Sequence, residues 1–500
     1  MGTMNNPVNE TKAAKYDVVI RNGQLIDGTG APAQARDVAI SGERIAAIAA
    51  PEDSAHWWGA LEIDASERVL APGFIDVHTH DDNAVLINPT MPAKLSQGVT
   101  TVIVGNCGIS LAPITDIDPP PPLNLLGGRD SFHYESMAAY LAAVEAARPS
   151  VNVAALVGHG TLRVGRMDDV NRNATAPEIA DMRDQLAASL AAGAIGLSTG
   201  LHYKTSNAAD MEEVIALAEV LSETGGIYTT HMRSESDHIM ASLQETQTTA
   251  QRANVPVVVS HHKCSGPDNW GRSGETLAFI EEARNSVTMG LDAYPYAAGS
   301  TVLDPDWVSD RIRIMITTSK PHPEAKGRDL ADIAAEWDCS LQDAAVRLSP
   351  GGAIYFQIDE ADMQRILAYP PTMIGSDGLP HDEHPHPRLW GTFPRVLGHY
   401  CRDLGLFDLE TAVHKMTGLP AKTFGLADRG SVQTGAFADL VVFDPARIID
   451  RATFEDPMQQ ATGIDYVLVN GTLSLLQGNL CPERSGQVVR NRQARSEATA

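Results

Sequence analysis

Several things this sequence lacks narrow the field before any motif is considered. Its five cysteines (Cys107, Cys264, Cys339, Cys401 and Cys481) are odd in number, scattered and never in Cys-x-x-Cys spacing. They make no disulfide framework, which points to a reducing compartment, the cytoplasm. Bases are scarce: 38 Lys and Arg stand against 63 Asp and Glu, a formal charge of -25. So acidic a chain is a poor partner for nucleic acid or an anionic membrane, and an anionic small-molecule substrate must be drawn in by local bases. No apolar run is long enough to span a bilayer. Residues 1–15 are polar without an apolar centre, so no signal peptide is expected. What remains is a globular composition, 43% hydrophobic and 20% charged, with 500 residues to hold a large barrel and a smaller domain.

The patterning changes twice along the chain. From Tyr16 to Ala50, short alternating runs are broken by Asn22-Gly23 and Ser41-Gly42, the signature of a small antiparallel sheet. Ala438–Asp444 and Tyr466–Gly471 repeat that style near the other end. One β-sandwich domain built from both termini, residues 1–70 and 428–485, is therefore expected around an inserted catalytic body, 71–427. In that body eight buried strand candidates alternate with helix signals: Phe74–His80, Val99–Cys107, Val151–His159, Ala194–Gly200, Gly226–His231, Val255–His261, Val287–Tyr294 and Thr372–Asp377. Thr175-Ala-Pro-Glu178 reads as a capping box ahead of Ile179, Met182, Leu186 and Leu190, and Asp210 as the cap of Val214, Leu217 and Leu221. The fold class is α/β, a (β/α)8 TIM-like barrel. The stretch 297–371, between the seventh and eighth strands, is too long for a loop. It contains the helix-like segments 327–337 and 341–348, and is read as a lid over the barrel mouth.

In such a barrel the chemistry lies at the C-terminal strand ends. Here those ends carry His78 and His80, Cys107, His159, His231, His261 with His262 and Lys263, Asp292 with Tyr294, and Asp377. His78 and His80 are two apart in an extended segment, so both imidazoles leave one face. Cys107, His231 and His261 make a set of three protein ligands of the types zinc prefers, with one position left for water. His78, His80 and Asp377 form a second cluster, and Asp377 stands where a general base for a metal-activated water belongs.

Larger motifs carry a resemblance. Pro72-Gly-Phe-Ile-Asp-Val-His-Thr-His80, His231, His261, Asp377 and Gly435-Ala-Phe-Ala-Asp-Leu-Val-Val-Phe-Asp444 resemble the metal-dependent amidohydrolase superfamily. More narrowly, Gly105-Asn-Cys-Gly-Ile-Ser110, Thr230-His-Met-Arg233, Ser260-His-His-Lys263, Asp292-Ala-Tyr-Pro-Tyr296 and Gly375-Ser-Asp-Gly-Leu-Pro-His-Asp382 look like D-aminoacylases, zinc N-acyl-D-amino-acid deacylases. The similarity runs over roughly residues 16–480. It implies one tight zinc on Cys107, His231 and His261, and a weak or empty second site at His78, His80 and Asp377. Cys107 stands where many superfamily members carry a bridging carboxylated lysine or glutamate.

The implied reaction is hydrolysis of a linear N-acyl-D-amino acid, with Asp377 as general base and then acid. Arg388, past the last strand, offers a bidentate partner for the substrate carboxylate. Lys263, Tyr294 and Ser300 are placed beside it by the resemblance, and Tyr203 is expected to join them. Arg233 is expected to support the ligands from behind, and His159 to be structural. With His262 bearing no permanent charge, the side-chain preference leans to neutral residues such as D-Met and D-Leu. Lys204, beside Tyr203, is the residue expected to complicate that preference by reaching the pocket. The alternatives are a deacylase selective for N-acyl-D-aspartate or N-acyl-D-glutamate, and a cyclic amidohydrolase of dihydroorotase or hydantoinase type.

Overall fold

The structure is a computed structural model and describes residues 15–491; residues 1–14, on which the expectation of no signal peptide rests and where the terminal β unit was expected to begin, lie outside the described residues. Eight parallel strands follow one another in sequence order around a barrel. They are β1 (Phe74–Asp76), β2 (Val99–Val104), β3 (Asn152–Gly158), β4 (Gly196–Gly200), β5 (Ile227–His231), β6 (Val257–Val259), β7 (Met289–Ala293) and β8 (Thr372–Ile374). All eight expected strands are present, and most are shorter than their apolar runs. Chain beyond the regular strands, including Val77–His80 and Gly375–Asp377, keeps scattered backbone pairing: the Asp377 N–H donates to the His78 carbonyl at 2.7 Å and the His80 N–H to the Gly378 carbonyl at 3.1 Å.

β2 reads Val-Thr-Thr-Val-Ile-Val and is buried throughout, as a parallel strand covered on both faces should be. Its alternation sorts residues between two cores. Ile103 joins Ile75, Leu156, Ile227 and Met373 in the barrel interior, which Phe424, Leu426 and Val489 extend. Val102 and Val104 face the helical layer. That layer is stopped and started as its sequence demands. The helix Ala176–Ala191 begins with the Thr175/Glu178 capping box. Met211–Thr224 is capped by the Asp210 side chain and ends at Gly225 in the left-handed region, φ 67°.

The barrel is nearly closed. Between β8 and β1 the ladder is reduced to a single bridge, Thr79 to Gly378. Side chains complete the seam: Asp76 accepts from the Ser376 backbone N–H at 2.8 Å, and the Lys94 ammonium lies 2.7 Å from Asp76 and 3.1 Å from Asp81. Lys94 is wholly buried. Removing one member of such a buried ion cluster costs about 3–5 kcal/mol, because its partners stay charged and dry. The seam matters to function because His78 and His80 leave one side of it and Asp377 the other.

Strands from both ends of the chain join one continuous nine-stranded sheet. The return strand Leu440–Phe443 pairs antiparallel with Val69–Pro72, immediately before β1. Between β7 and β8 an insertion folds on its own core, which includes Leu303, Ile316, Ile333 and Ala353. It has a three-stranded antiparallel sheet (Gly299–Val302, Gly351–Tyr355, Ile314–Ser319) and helices Leu330–Glu336 and Leu341–Leu348. Among the described residues no helix is long and apolar enough to cross a membrane.

Candidate metal centre and active site

At the C-terminal mouth of the barrel, two groups of ligand-type side chains meet. Cys107, His231 and His261 present donor atoms within 4.8 Å of one another, and so do His78, His80, Cys107 and Asp377. Cys107 belongs to both. Its Sγ lies 3.3 Å from His261 Nε2 and 3.2 Å from His78 Nε2. His80 Nε2 lies 3.2 Å from Asp377 Oδ1.

Turning these side chains inward uses unusual backbone. Cys107, His261 and Asp377 all have positive φ, at 52°, 36° and 48°. Non-glycine residues rarely occupy that region, and when several do so around one point the strain marks a functional site. Gly108 lets the turn after Cys107 press on the next strand but one: a Cβ there would lie 2.6 Å from the Gly200 nitrogen.

The electrostatics suit a cation. Burial pushes the Cys107 thiol up, but His78 and His261 outweigh it and hold the thiol well below its usual range, toward the thiolate that metals bind. Burial also opposes ionisation of Asp377, yet Arg388 and His78 hold that carboxyl well below the ordinary value. His261 is drawn up to about 9; burial and Lys263 push it down, and Glu235 and Cys107 outweigh them. His231 is lowered by burial, and neither of its ring nitrogens has a hydrogen-bond partner. A buried imidazole with two idle nitrogens is costly unless something else uses one of them. The Cys107 thiolate and the two imidazoles of His231 and His261 fit zinc by donor type and number.

Above the clusters is a cavity of about 300 Å³. His80, His231, His261 and Asp377 reach it from below, and Cys107 and His78 lie beneath its floor. Arg388, Lys263, Tyr294, Ser300 and Tyr203 all line it. The Arg388 side chain is 1% exposed, with Nη1 2.9 Å from Asp377 Oδ2 in a charge contact that is not a directed hydrogen bond. Its Nη2 donates to the Ser300 carbonyl at 2.9 Å, its plane lies 4.5 Å over the Tyr294 ring, and Nε has no partner. Tyr203 pairs its hydroxyl with Thr301 at 3.0 Å and sets its ring 4.9 Å from that of His231. The insertion thus roofs the cavity, adding Trp307 and Tyr355 to Ser300.

The amidohydrolase family model matches residues 61–336 and 343–474. The chain belongs to the amidohydrolase family. It is 53% identical to the D-aminoacylase of Alcaligenes xylosoxydans xylosoxydans over 482 residues, covering 96% of this chain and 99% of that one. The N-acyl-D-aspartate deacylase of the same organism is 47% identical over 95% of each. The crystal structure of N-acyl-D-glutamate deacylase from Bordetella bronchiseptica, complexed with zinc and a phosphonate mimic of the tetrahedral intermediate, superposes with a TM-score of 0.92 at 47% identity. That alignment covers 95% of this chain and 100% of the other. The resemblance seen in the motifs is therefore borne out.

Within this amidohydrolase, some placements depart from the sequence reading and others agree with it. Lys204 does not line the cavity; it is largely exposed and turned to Asp304 at 2.9 Å and Asp306 at 3.5 Å, because the turn after β4 sends neighbouring side chains opposite ways. Arg233 pairs with Glu245 at 2.8 Å and donates to the backbone carbonyls of Asn207 and Ala209. His159 is buried on Glu213 at 2.8 Å, a structural setting. Two supporting carboxylates went unassigned in sequence. Asp292 lies 3.3 Å from His78 Nδ1 and accepts from the His261 backbone N–H at 2.9 Å. Glu235 lies 3.0 Å from His261 Nδ1. Asp292 was visible as a strand-end acid; Glu235, four residues past His231, carried no signal beyond its place in Thr-His-Met-Arg-Ser-Glu. His202 and Trp307 were missed as well; their rings stack at 4.4 Å in the cavity wall.

Proposed function

We propose that this amidohydrolase cleaves N-acyl-D-amino acids to a carboxylate and a free D-amino acid, using one tightly held zinc on Cys107, His231 and His261. The observation that carries the reading is the position of Asp377: its carboxylate lies between the ligand cluster (3.2 Å from His80) and the buried Arg388 guanidinium at 2.9 Å. His78, His80 and Asp377 make a second, weaker site. Residues 71–427 act as the catalytic unit, with 1–70 and 428–485 as the β unit. The five free cysteines support a cytoplasmic setting.

Zinc, when bound, supplies a Lewis acid that polarises an acyl carbonyl and eases deprotonation of water. The chain's own groups do the rest. Arg388 and Lys263 receive the substrate carboxylate, a planar fork and a point charge 4.5 Å and 5.9 Å from the Tyr294 ring centroid. Ser300 and Tyr203 close the cavity around the substrate. Asp377 takes the proton of the attacking water and returns it to the amine nitrogen as the amide C–N bond breaks. The roof of the insertion keeps competing water out.

The walls favour neutral side chains. Leu125, Trp307, Ile312, Tyr355 and Leu379 face the cavity, and the expected competitor Lys204 does not. One observation supports the acidic alternative: Arg311 reaches the cavity, though its exposed guanidinium is paired with both oxygens of Asp268. Initial rates on N-acetyl-D-methionine, N-acetyl-D-aspartate, N-acetyl-D-glutamate and N-acetyl-L-methionine separate the readings. Fast release of D-methionine alone supports the neutral preference. Release confined to a D-acidic substrate moves the specificity to Arg311. No release from any of them removes the deacylase reading.

A further inference from the structure

Glu235 follows β5 and reaches across to the residues that follow β6. The Ser265 backbone N–H, donating to the Glu235 carbonyl at 2.7 Å, holds the two loops together. The Glu235 side chain is 10% exposed and lies 3.0 Å from His261 Nδ1 and 2.7 Å from Lys263 Nζ. Lys263 Nζ is itself 3.0 Å from the same His261 Nδ1. On the far side of that ring, Nε2 faces Cys107 Sγ at 3.3 Å.

One ring nitrogen therefore meets two neighbours with opposite demands. An ionised carboxylate only accepts, so it favours the proton on Nδ1 and leaves the Nε2 lone pair free for a cation. An ammonium only donates, so it favours a lone pair on Nδ1 and a proton on Nε2, where a ligand lone pair is needed. Lys263 has other acceptors within reach, the Glu235 carboxylate and the His261 carbonyl at 3.0 Å. It gives up Nδ1 only while they hold it.

We propose that Glu235 sets the tautomer of His261, accepting from Nδ1–H while drawing the Lys263 ammonium away, so that Nε2 is kept as a metal ligand. Glu235 is a positioning residue in this scheme, and Lys263 is the group it must outcompete. The proposal rests on His261 being a zinc ligand. It yields an unusual epistasis: deleting the ammonium should repair the loss of the carboxylate.

The test is zinc affinity of the full chain, read by competition with a chromophoric chelator. The proteins are wild type, Glu235→Gln, Glu235→Asp, Lys263→Met and Glu235→Gln with Lys263→Met. Glu235→Gln should weaken zinc by about 10–100-fold, the usual effect of losing a partner behind a metal-binding histidine. Lys263→Met alone should bind as the wild type does, and the double variant should recover most of the loss. Glu235→Asp, one methylene short, should fall between wild type and Glu235→Gln, and Glu235→Asp combined with Lys263→Met carries the rescue comparison if the glutamine variant does not fold. Wild-type affinity in Glu235→Gln, or a double variant no better than the single, overturns the proposal. No substrate enters the measurement, so failure of the deacylase reading and failure of this one are distinguishable.

Discussion

The two ligand clusters share Cys107, yet they differ in how their atoms are occupied. In the first, His231 has no hydrogen-bond partner at either nitrogen, and His261 turns Nε2 to the thiol with Glu235 behind it. In the second, His80 Nδ1 is also without a partner, but the remaining groups satisfy one another. His80 meets Asp377 at 3.2 Å, His78 meets Asp292 at 3.3 Å, and Asp377 meets Arg388 at 2.9 Å. A cation entering the first cluster relieves a buried imidazole that makes no hydrogen bond, with the Glu235 carboxylate 3.7 Å from its Nε2. A cation entering the second must displace contacts already made and lie near a guanidinium. Ligand type alone does not separate the clusters; prior satisfaction of the ligands does.

The sharpest way to break that comparison is to remove the shared atom. Cys107→Ala should abolish zinc retention through dialysis, read by elemental analysis, and with it all activity. If zinc stays at one per chain, Cys107 is not a ligand of the tight site. Next, Asp377→Asn keeps the shape and removes the base. It should lower kcat by about 10²–10⁴-fold, a typical loss of general acid–base catalysis, while zinc content stays near one per chain. Loss of zinc in that variant would move Asp377 into the tight site.

A smaller effect is expected at the edge of the second cluster. Arg388→Lys retains charge and loses the fork, so KM should rise about 10–100-fold, matching about 1.5–3 kcal/mol for a hydrogen bond to a charged group. An unchanged KM with a lowered kcat would assign Arg388 to Asp377 rather than to the substrate. The smallest effect on activity belongs to a carboxylate outside both clusters. Burial pushes Glu213 up, but His159 and Arg163 outweigh it and bring it down to about 2. A depressed carboxyl stabilises the fold above its unfolded pKa of about 4.5 and loses that contribution as pH falls toward about 2. Thermal melting of Glu213→Gln between pH 5 and pH 2 should therefore fall less steeply than wild type. An identical slope would place the acid sensitivity elsewhere, with Asp377 the first alternative.

Much of the site was legible because barrel topology converts sequence order into spatial order. Once β1–β8 are recognised by buried apolar runs, the residue after each run must lie at the mouth, and His78, Cys107, His231, His261 and Asp377 follow. Lys204 shows where that logic stops. Adjacent to Tyr203 in sequence, it leaves the turn on the solvent side and meets Asp304 of the insertion. Glu235 shows the converse, since nothing local distinguishes it from the exposed acids of a charge-rich chain. The Asp76–Lys94–Ser376 seam was equally silent, as its members come from opposite ends of the barrel and meet only on closure.

By itself, then, the sequence determined the periodicities, the caps, the strand-end ligands and the family motifs, because each depends on neighbours within a few residues or on one strand-helix unit. Tertiary structure alone decided which ligands are already satisfied, which cation faces the cavity and which carboxylate sits behind His261. Those are distances between side chains far apart in the chain, and ion pairs and hydrogen bonds exist only within about 3–4 Å.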